Sequence, residues 1–391
     1  MSSCDRRALA WAYLSRVAEP PCAELATLVG RVGPVEAAHR VRRGLVGADL
    51  ARRTQARRTV DRAAADLELL ARRGGRLITP DHDEWPMLAF TAFDSPAVRA
   101  KAGGGPPMAL WVLGPARLDE VAQRAAAVVG TRAATAYGEQ VATDLAAGLA
   151  DRDVAVVSGG AYGVDGAAHR AALATGGITV AVLAGGIDIL YPGGHSALLH
   201  RIGRYGLLLS EYPPGVRPAR HRFLTRNRLV AAVAGAAVVV EAGLRSGASN
   251  TAAWARALGR VVGAVPGPVT SSASAGCHAL LRDGAELITR VDDIVEFVGR
   301  IGELAAEETR PSTAFDGLSD IERRVYEALP GRGATSVDEI AIASGLVAEQ
   351  VLGPLAILEV RGLAQRDGGR WRIARCGPAR VVAKPATPRL V

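Results

Sequence analysis

The sequence predicts an α/β protein whose centre is a doubly wound parallel sheet, with a small helical module before it and a three-helix module after it. Between residues 120 and 298, short runs that are apolar throughout alternate with helical stretches, as expected of parallel strands buried on both faces. Before residue 76, apolar residues recur at helical spacing. After residue 312, three amphipathic segments precede two short runs joined by an Asp-Gly-Gly turn.

Residues 1–76 are predicted to form short helices of the SAM or helix-hairpin-helix kind, with Leu9, Tyr13 and Leu14 on one apolar face. They carry 15 arginines against 8 acidic residues, although the net charge of the whole chain is only +8. Only two of the chain's 47 basic residues are lysines, so arginine content alone says little about function. The position of each arginine in the fold is the better guide.

Residues 77–119 contain six prolines and the triple glycine 103–105, so they are predicted to be a linker or extension with one short strand at 109–113. Residues 120–298 then form a Rossmann-like domain. In such sheets ligands bind beyond the carboxyl ends of the strands. The predicted strands are 125–130, 154–160, 178–186, 207–212, 236–242 and 261–267.

The segment 312–376 is predicted to be a winged-helix module with helices at 319–329, 336–344 and 348–361 and a hairpin at 362–373. Its third helix carries Arg361 as its one basic residue, against Glu349 and Glu359. That composition suits a duplex major groove poorly and argues against a transcription regulator. The Pro- and Arg-rich residues 377–391 are predicted to be disordered.

Several classes of protein are disfavoured by composition. No run of about 18 apolar residues occurs and the N-terminus lacks an apolar signal core, so no membrane attachment and a cytoplasmic location are expected. The four cysteines are scattered, so no metal site is expected. Neither lysine lies in a Walker motif and the dinucleotide fingerprint is missing, so no cofactor is expected either.

The first two strand ends carry glycines and polar residues suited to an anion. Gly130, Thr131 and Arg132 precede a predicted helix that contains Tyr137, which indicates a phosphate cradle at a helix N-terminus. The second strand ends in Ser158, Gly159, Gly160 and Gly163, a tight turn whose N–H groups could bind an anion. Asp165 and His169 follow on one helix face, either as ligand-facing groups or as a helix cap with a locally bonded histidine.

Two later strand ends repeat the pattern. Gly185 and Gly186 begin a glycine-rich stretch that either lines a pocket or forms turns. After the fifth strand, Ser246, Gly247 and Thr251 form a Gly/Ser turn onto a helix N-terminus. Glu241, at the end of that strand, either binds a sugar hydroxyl or accepts hydrogen bonds within the turn.

The stretch between the fourth and fifth strands is the most informative. It is predicted to be a basic loop in which no acidic residue falls between Glu211 and Glu241. Guanidinium groups can take backbone phosphates while an aromatic ring stacks on a base, a combination typical of sequence-tolerant binding of single strands. The candidate binding residues of this stretch are Arg222, Phe223, Arg226, Asn227 and Arg228.

These motifs, in this order, resemble the DNA processing protein A family, DprA/Smf. The resemblance rests on Gly130 to Arg132 with Tyr137, on Ser158 and Gly159 with Asp165 and His169, on 210–213, on Phe223 with 226–228, on Ser246 and Gly247 with Thr251, and on 265–268. Tyr162 stands where the family usually has arginine, and Leu224-Thr225 replaces its usual proline.

The resemblance implies a protein without catalytic residues that binds single-stranded DNA, forms a homodimer through the Rossmann-like domain, and protects incoming or recombining strands while it loads the RecA recombinase in natural transformation. An alternative is a nucleotide phosphoribohydrolase of the lysine-decarboxylase-like group, which shares a Pro-Gly-Gly turn such as 192–194. That turn lacks the carboxylate such chemistry needs.

Overall fold

The computed structural model describes residues 3–299, 315 and 317–374. The chain divides after residue 306 into two compact units, which are described separately. The predicted disordered tail, 377–391, lies outside the described residues.

The strands of the first unit are β1 (Gly75–Ile78), β2 (Leu110–Leu113), β3 (Ala125–Val129), β4 (Ala155–Ser158), β5 (Thr179–Leu183), β6 (Leu207–Ser210), β7 (Ala236–Val239), β8 (Val261–Ala264) and β9 (Glu286–Leu287). Its helices are α1 (Ser3–Val17), α2 (Ala23–Arg43), α3 (Ala48–Thr54), α4 (Ala63–Arg72), α5 (Met87–Phe90), α6 (Pro96–Arg99), α7 (Leu118–Val121), α8 (Ala136–Ala150), α9 (Val164–Ala174), α10 (Ser196–Tyr205), α11 (Arg220–Val233), α12 (Gly247–Ala257), α13 (Ala275–Arg282) and α14 (Val291–Val298). Short 3₁₀ helices lie at Thr91–Asp94 and Gly193–His195.

All these strands form one sheet in the order β1-β2-β6-β5-β4-β3-β7-β8-β9. The strands from β3 to β9 pair in parallel, which confirms the predicted architecture. The six predicted strands are β3 to β8, each ending one to three residues earlier than expected, where the chain leaves the sheet. The chain runs outward from β3 to β6 and then returns to place β7 beside β3, so the order reverses between β3 and β7.

The short strand predicted at 109–113, within the linker or extension 77–119, is present as β2. β2 pairs antiparallel with both β1 and β6, so this stretch extends the main sheet. Trp85, Phe90 and Phe93 pack edge to face, with ring centroids 5.1 and 5.7 Å apart. The three rings share one apolar core with the strands, and their burial contributes several kcal/mol to holding the extension in place.

The helices predicted for residues 1–76 are present, but they are not separate from the sheet. Tyr13, Leu14 and Leu25 are fully buried and belong to the same apolar cluster as Leu183 and Leu199. The helical segment therefore belongs to the first unit and packs on its sheet through a shared core.

The second unit confirms the predicted winged helix. Its elements are α15 (Asp320–Glu327), α16 (Val337–Ser344), α17 (Ala348–Val360), β10 (Ala364–Asp367) and β11 (Arg370–Ile373). Ser319 and Ser336 each form a reciprocal capping box that starts a helix.

Among the described residues no single helix is long and apolar enough to cross a membrane; the pair α16 and α17 reaches that length and composition together, with a bend of 103° between them.

Candidate nucleic-acid interface

A cleft of about 1240 Å³ opens at the carboxyl ends of β3, β4 and β7, where the order of the sheet reverses. This is the location expected for a ligand in a doubly wound sheet. The structure brings together in its walls ten of the residues singled out from the sequence: Gly130, Thr131, Arg132, Gly159, Phe223, Arg226, Asn227, Ser246, Gly247 and Thr251.

Positive charge dominates this cleft. Its lining contains five arginines and one carboxylate, that of Asp165. The arginines are Arg132, Arg217, Arg220, Arg226 and Arg245. All but Arg226 are exposed, and within the described part of the chain no hydrogen bond or ion pair engages the side chains of these four. Such groups attract a polyanion.

Arg245 was missed by sequence reasoning. It directly precedes Ser246 and Gly247, in the loop between β7 and α12. Its position next to the Gly/Ser turn was the available signal. The residue adds a further exposed guanidinium to the cleft lining.

Aromatic rings lie beside these guanidinium groups. The Phe223 and Tyr191 rings have centroids 5.5 Å apart and are tilted by 55°. The Arg132 guanidinium carbon lies 5.1 Å from the centroid of Phe223. Tyr162 borders a small hollow together with these three residues. We call Phe223, Tyr191, Tyr162 and Arg132 the aromatic rim; unpaired bases can stack on such surfaces.

Tyr162, the departure from the usual arginine, is fixed by its neighbours. Its ring meets that of His195 edge to face at 4.6 Å. Its hydroxyl oxygen accepts a hydrogen bond from the Gly194 N–H at 3.2 Å. The ring is nevertheless 45% exposed, so this position presents an aromatic surface and no cation.

Arg226 reaches the cleft from inside the protein. It is 6% exposed, and its Nη1 donates to the Val182 carbonyl oxygen. Burial lowers the pKa of this guanidinium to about 10, and the charge of Asp165 opposes the shift. It is therefore still cationic at neutral pH. A Cβ atom at Gly159 would lie 2.4 Å from the Arg226 Nη1, so a larger residue there would displace this guanidinium.

The expected basic loop is instead the start of α11, and helical geometry separates its arginines. Arg228 is fully buried, and its two terminal nitrogens bind the Glu211 carboxylate at 2.7 and 2.8 Å. Its Nε donates to the Gly105 carbonyl oxygen at 3.1 Å. The prediction that Arg228 contacts a ligand is wrong, because its guanidinium is neutralised inside the fold. Arg222 also lies outside the cleft lining, with its Nε 2.6 Å from Glu19.

One helix N-terminus and one turn predicted as anion sites donate hydrogen bonds to carboxylates of the chain. Glu241, 2% exposed, accepts hydrogen bonds from the Thr135 N–H at 3.0 Å and the Thr135 hydroxyl at 2.7 Å, at the start of α8. Asp165 accepts from the N–H groups of Gly159 at 3.1 Å and Ala161 at 3.3 Å. Glu241 and Asp165 thus engage these backbone donors and hold the turns together, while Arg132 of the predicted cradle stays exposed in the cleft.

His169 agrees with the second interpretation of the Asp165–His169 pair. It is fully buried, and its Nδ1 lies 2.7 Å from the Thr179 hydroxyl. Burial raises the pKa of the Asp165 carboxyl, and the Arg226 charge works against that rise. Neither residue needs a ligand to account for its position.

The other residues singled out from the sequence shape the loops and do not line the cleft. They are Tyr137, Ser158, Gly160, Gly163, Gly185 and Gly186. The Tyr137 hydroxyl donates to the Pro266 carbonyl oxygen at 2.6 Å, and the Ser158 hydroxyl donates to that of Val128 at 2.7 Å. Gly163 has a φ of 71°, and a Cβ there would lie 2.3 Å from the Thr131 carbonyl oxygen, in the loop after β3.

Comparison with known proteins agrees with this architecture. The family model described as DNA recombination-mediator protein A matches residues 76–299, and that of the DprA winged helix domain matches 308–370. A chain of Mycobacterium tuberculosis strain H37Rv, named as a DNA processing protein DprA, is 76% identical over 387 residues, which are 99% of this chain and 100% of that one.

Protein Smf of Escherichia coli K12 is 36% identical over 253 residues, covering 64% of this chain and 68% of its own. The X-ray structure of DNA processing protein A from Streptococcus pneumoniae aligns with a TM-score of 0.59 at 26% identity, over 74% of this chain and 96% of that one. The resemblance stated from the motifs is thereby confirmed. The chain belongs to the DNA recombination-mediator protein A family, DprA/Smf.

Proposed function

We propose that this protein binds single-stranded DNA in the cleft at the carboxyl ends of β3, β4 and β7, without catalytic turnover, and delivers the strand to the RecA recombinase. The observation that carries the proposal is the pairing of unpartnered guanidinium groups with the aromatic rim in one cleft. The arginines would bind backbone phosphates, and bases would stack on the aromatic rings. A role in DNA recombination fits the family.

Single strands suit the rim better than duplex does. Phe223 and Tyr191 present ring surfaces, and a base can use them only when it is free of its own stacking partners. The Arg132 guanidinium lies over the same ring, so phosphate and base contacts would be made within one nucleotide of each other. Affinity would then depend little on base identity, because every base has a stacking face.

Absence of turnover is supported by the state of the nearby carboxylates. Asp165 accepts hydrogen bonds from backbone N–H groups of the turn before α9, and Glu241 accepts one from the Thr135 N–H at the start of α8. At the Pro-Gly-Gly turn, the buried His195 places its Nδ1 3.1 Å from the Gly160 carbonyl oxygen. These groups are committed to the fold, whereas a hydrolase needs an acid or base facing its substrate.

We further propose a homodimer acting in the cytoplasm, which light scattering of the purified protein and fractionation of cells would test.

The test compares binding to oligo-dT and to duplex of the same length over a salt series. One triple variant changes Arg132, Arg217 and Arg245 to alanine. Each lost phosphate contact is expected to reduce the salt slope for single strands by about 0.7. The matched control changes three exposed arginines elsewhere, Arg43, Arg72 and Arg204. If the cleft variant binds oligo-dT as the parent does, the site is wrong; if the parent prefers duplex, the proposed ligand is wrong.

A further inference from the structure

A second group of cations lies next to the cleft and converges on one carboxylate. Glu19, just after α1, lies 2.6 Å from the Arg222 Nε, 2.9 Å from an Arg57 nitrogen and 3.4 Å from the His221 Nε2. We call Glu19, Arg57, His221 and Arg222 the Glu19 cluster. Burial acts to raise the pKa of Glu19, but hydrogen bonds from Arg222 and Arg57 outweigh it and hold the pKa at about 2.

The Glu19 cluster is continuous with the cleft. Arg222 lies on the first turn of α11, and its Nη1 donates to the Arg217 carbonyl oxygen at 2.5 Å. Arg217 and Arg220 both line the cleft. On the other side, Arg57 belongs to the turn 55–62 between α3 and α4, where Arg58 and Arg62 are exposed. Cationic residues thus follow one another from the cleft, over the start of α11, to this turn.

Attachment of the N-terminal helices does not require this cluster. Those helices already share an apolar core with the sheet. The Arg16 guanidinium also donates to the Pro214 carbonyl oxygen at 2.6 Å and pairs with Asp66. The ion pair of Arg57, whose side chain is 41% exposed, contributes little stability, and that of Arg222, whose side chain is 14% exposed, is one contact among these. Two guanidinium groups on one carboxylate also leave an excess positive charge.

We propose that the single strand held in the cleft continues over the start of α11 and places a backbone phosphate on Arg57 and Arg222, where it displaces the Glu19 carboxylate. The inference rests on the proposed function and extends it to the N-terminal helical segment. A phosphodiester carries the same single charge as a carboxylate and offers oxygens to the same guanidinium groups. Glu19, 34% exposed at its side chain, has solvent to turn into. In the free protein it fills the place of the phosphate.

The proposal makes opposite predictions for two changes in the same cluster. Glu19→Gln removes the internal competitor, so binding of long oligo-dT should tighten severalfold. Arg57→Ala removes a phosphate contact, so the salt slope for long oligo-dT should fall by about 0.7. Short oligo-dT, confined to the cleft, should bind both variants as it binds the parent. Arg72→Ala, which removes an exposed arginine paired with Glu68 in the same helical segment, is the matched control and should change neither length class.

Each outcome decides the inference. If Glu19→Gln weakens binding or leaves it unchanged at every length, the Glu19 cluster is only an internal contact and the proposal is overturned. Equal effects on short and long oligomers would also overturn it, because the cluster would then belong to the cleft. Thermal unfolding of each variant shows whether the fold is intact. The proposed function itself is tested separately, by measuring the binding of short oligo-dT to Arg132→Ala. If that variant binds as the parent does, the proposed cleft site fails, whatever the Glu19 cluster does.

Discussion

Replacing Phe223 with alanine would remove the central ring of the aromatic rim and leave the cleft's arginines in place. The ring lies 5.5 Å from that of Tyr191 and 5.1 Å from the Arg132 guanidinium carbon. Under the proposed function, its loss removes the stacking contact of one base. Stacking of a base on an aromatic side chain contributes about 1–3 kcal/mol. We therefore expect the Kd for oligo-dT to rise about 5-fold to 150-fold.

Fluorescence anisotropy with labelled oligo-dT over a salt series separates stacking from charge. Phe223→Ala should shift the line of log Kd against log salt without changing its slope, because no charge is lost. Arg132→Ala should lower the slope by about 0.7 and also weaken the contact with the ring. Two control variants accompany Phe223→Ala. Phe223→Leu retains an apolar side chain without a π face. Tyr205→Ala removes the ring of a residue that is 56% exposed and lies outside the cleft lining.

Two results would refute this reasoning. Binding by Phe223→Ala within twofold of the parent would mean that no base stacks on the rim. Full recovery with Phe223→Leu would mean that apolar burial, and not stacking, accounts for the effect. A changed salt slope in Phe223→Ala would show that the substitution had disturbed the neighbouring arginines.

Three further predictions concern stability. Arg228→Ala leaves Glu211 buried without its partner and should lower the free energy of unfolding in urea by about 3–5 kcal/mol, whereas methionine at both positions should restore most of it. Burial lowers the pKa of His169 from 6.5 to about 3, so as the pH falls the unfolded chain protonates this imidazole before the folded chain does. The free energy of unfolding should therefore fall by up to about 1.4 kcal/mol per pH unit between pH 6.5 and 3. His169→Gln should abolish this part of the pH dependence. Gly163→Ala, at a φ of 71° and against a carbonyl oxygen, should cost about 1–3 kcal/mol or more in calorimetry, while Gly243→Ala, with nothing within 4 Å, should change little.

The parallel sheet and the winged helix could be predicted because their signals are local. Six apolar runs became β3 to β8, and the capping serines Ser319 and Ser336 mark two helix starts. The antiparallel pairing of β1 with β2 could not be predicted, because each strand has only four residues and the prolines between them indicate a loop. Their pairing partners lie far away in the sequence, so only the folded sheet reveals them.

The site was predicted in its location and only partly in its residues. Arg226 and Arg228 are two positions apart and look alike in the sequence, yet one lines the cleft and the other is buried against Glu211. Arg222 is paired with Glu19, 203 residues away in the chain. Counting nearby acidic residues could not find these partners, since helical direction and tertiary contacts decide where each guanidinium lies.

The carboxylate of Glu241 at the start of α8, with that of Asp165 at the turn before α9, has a consequence for selectivity in the cell. Rossmann-like proteins hold the diphosphate of a mononucleotide or dinucleotide on these same backbone amides. Here the amides of Thr135, Gly159 and Ala161 already donate to carboxylates, so they leave ATP or NAD no diphosphate seat, and only the arginine side chains of the cleft would attract its phosphates. A polymer needs no such seat, because it can bind through many side chains at once. Abundant free nucleotides would then compete poorly for the cleft.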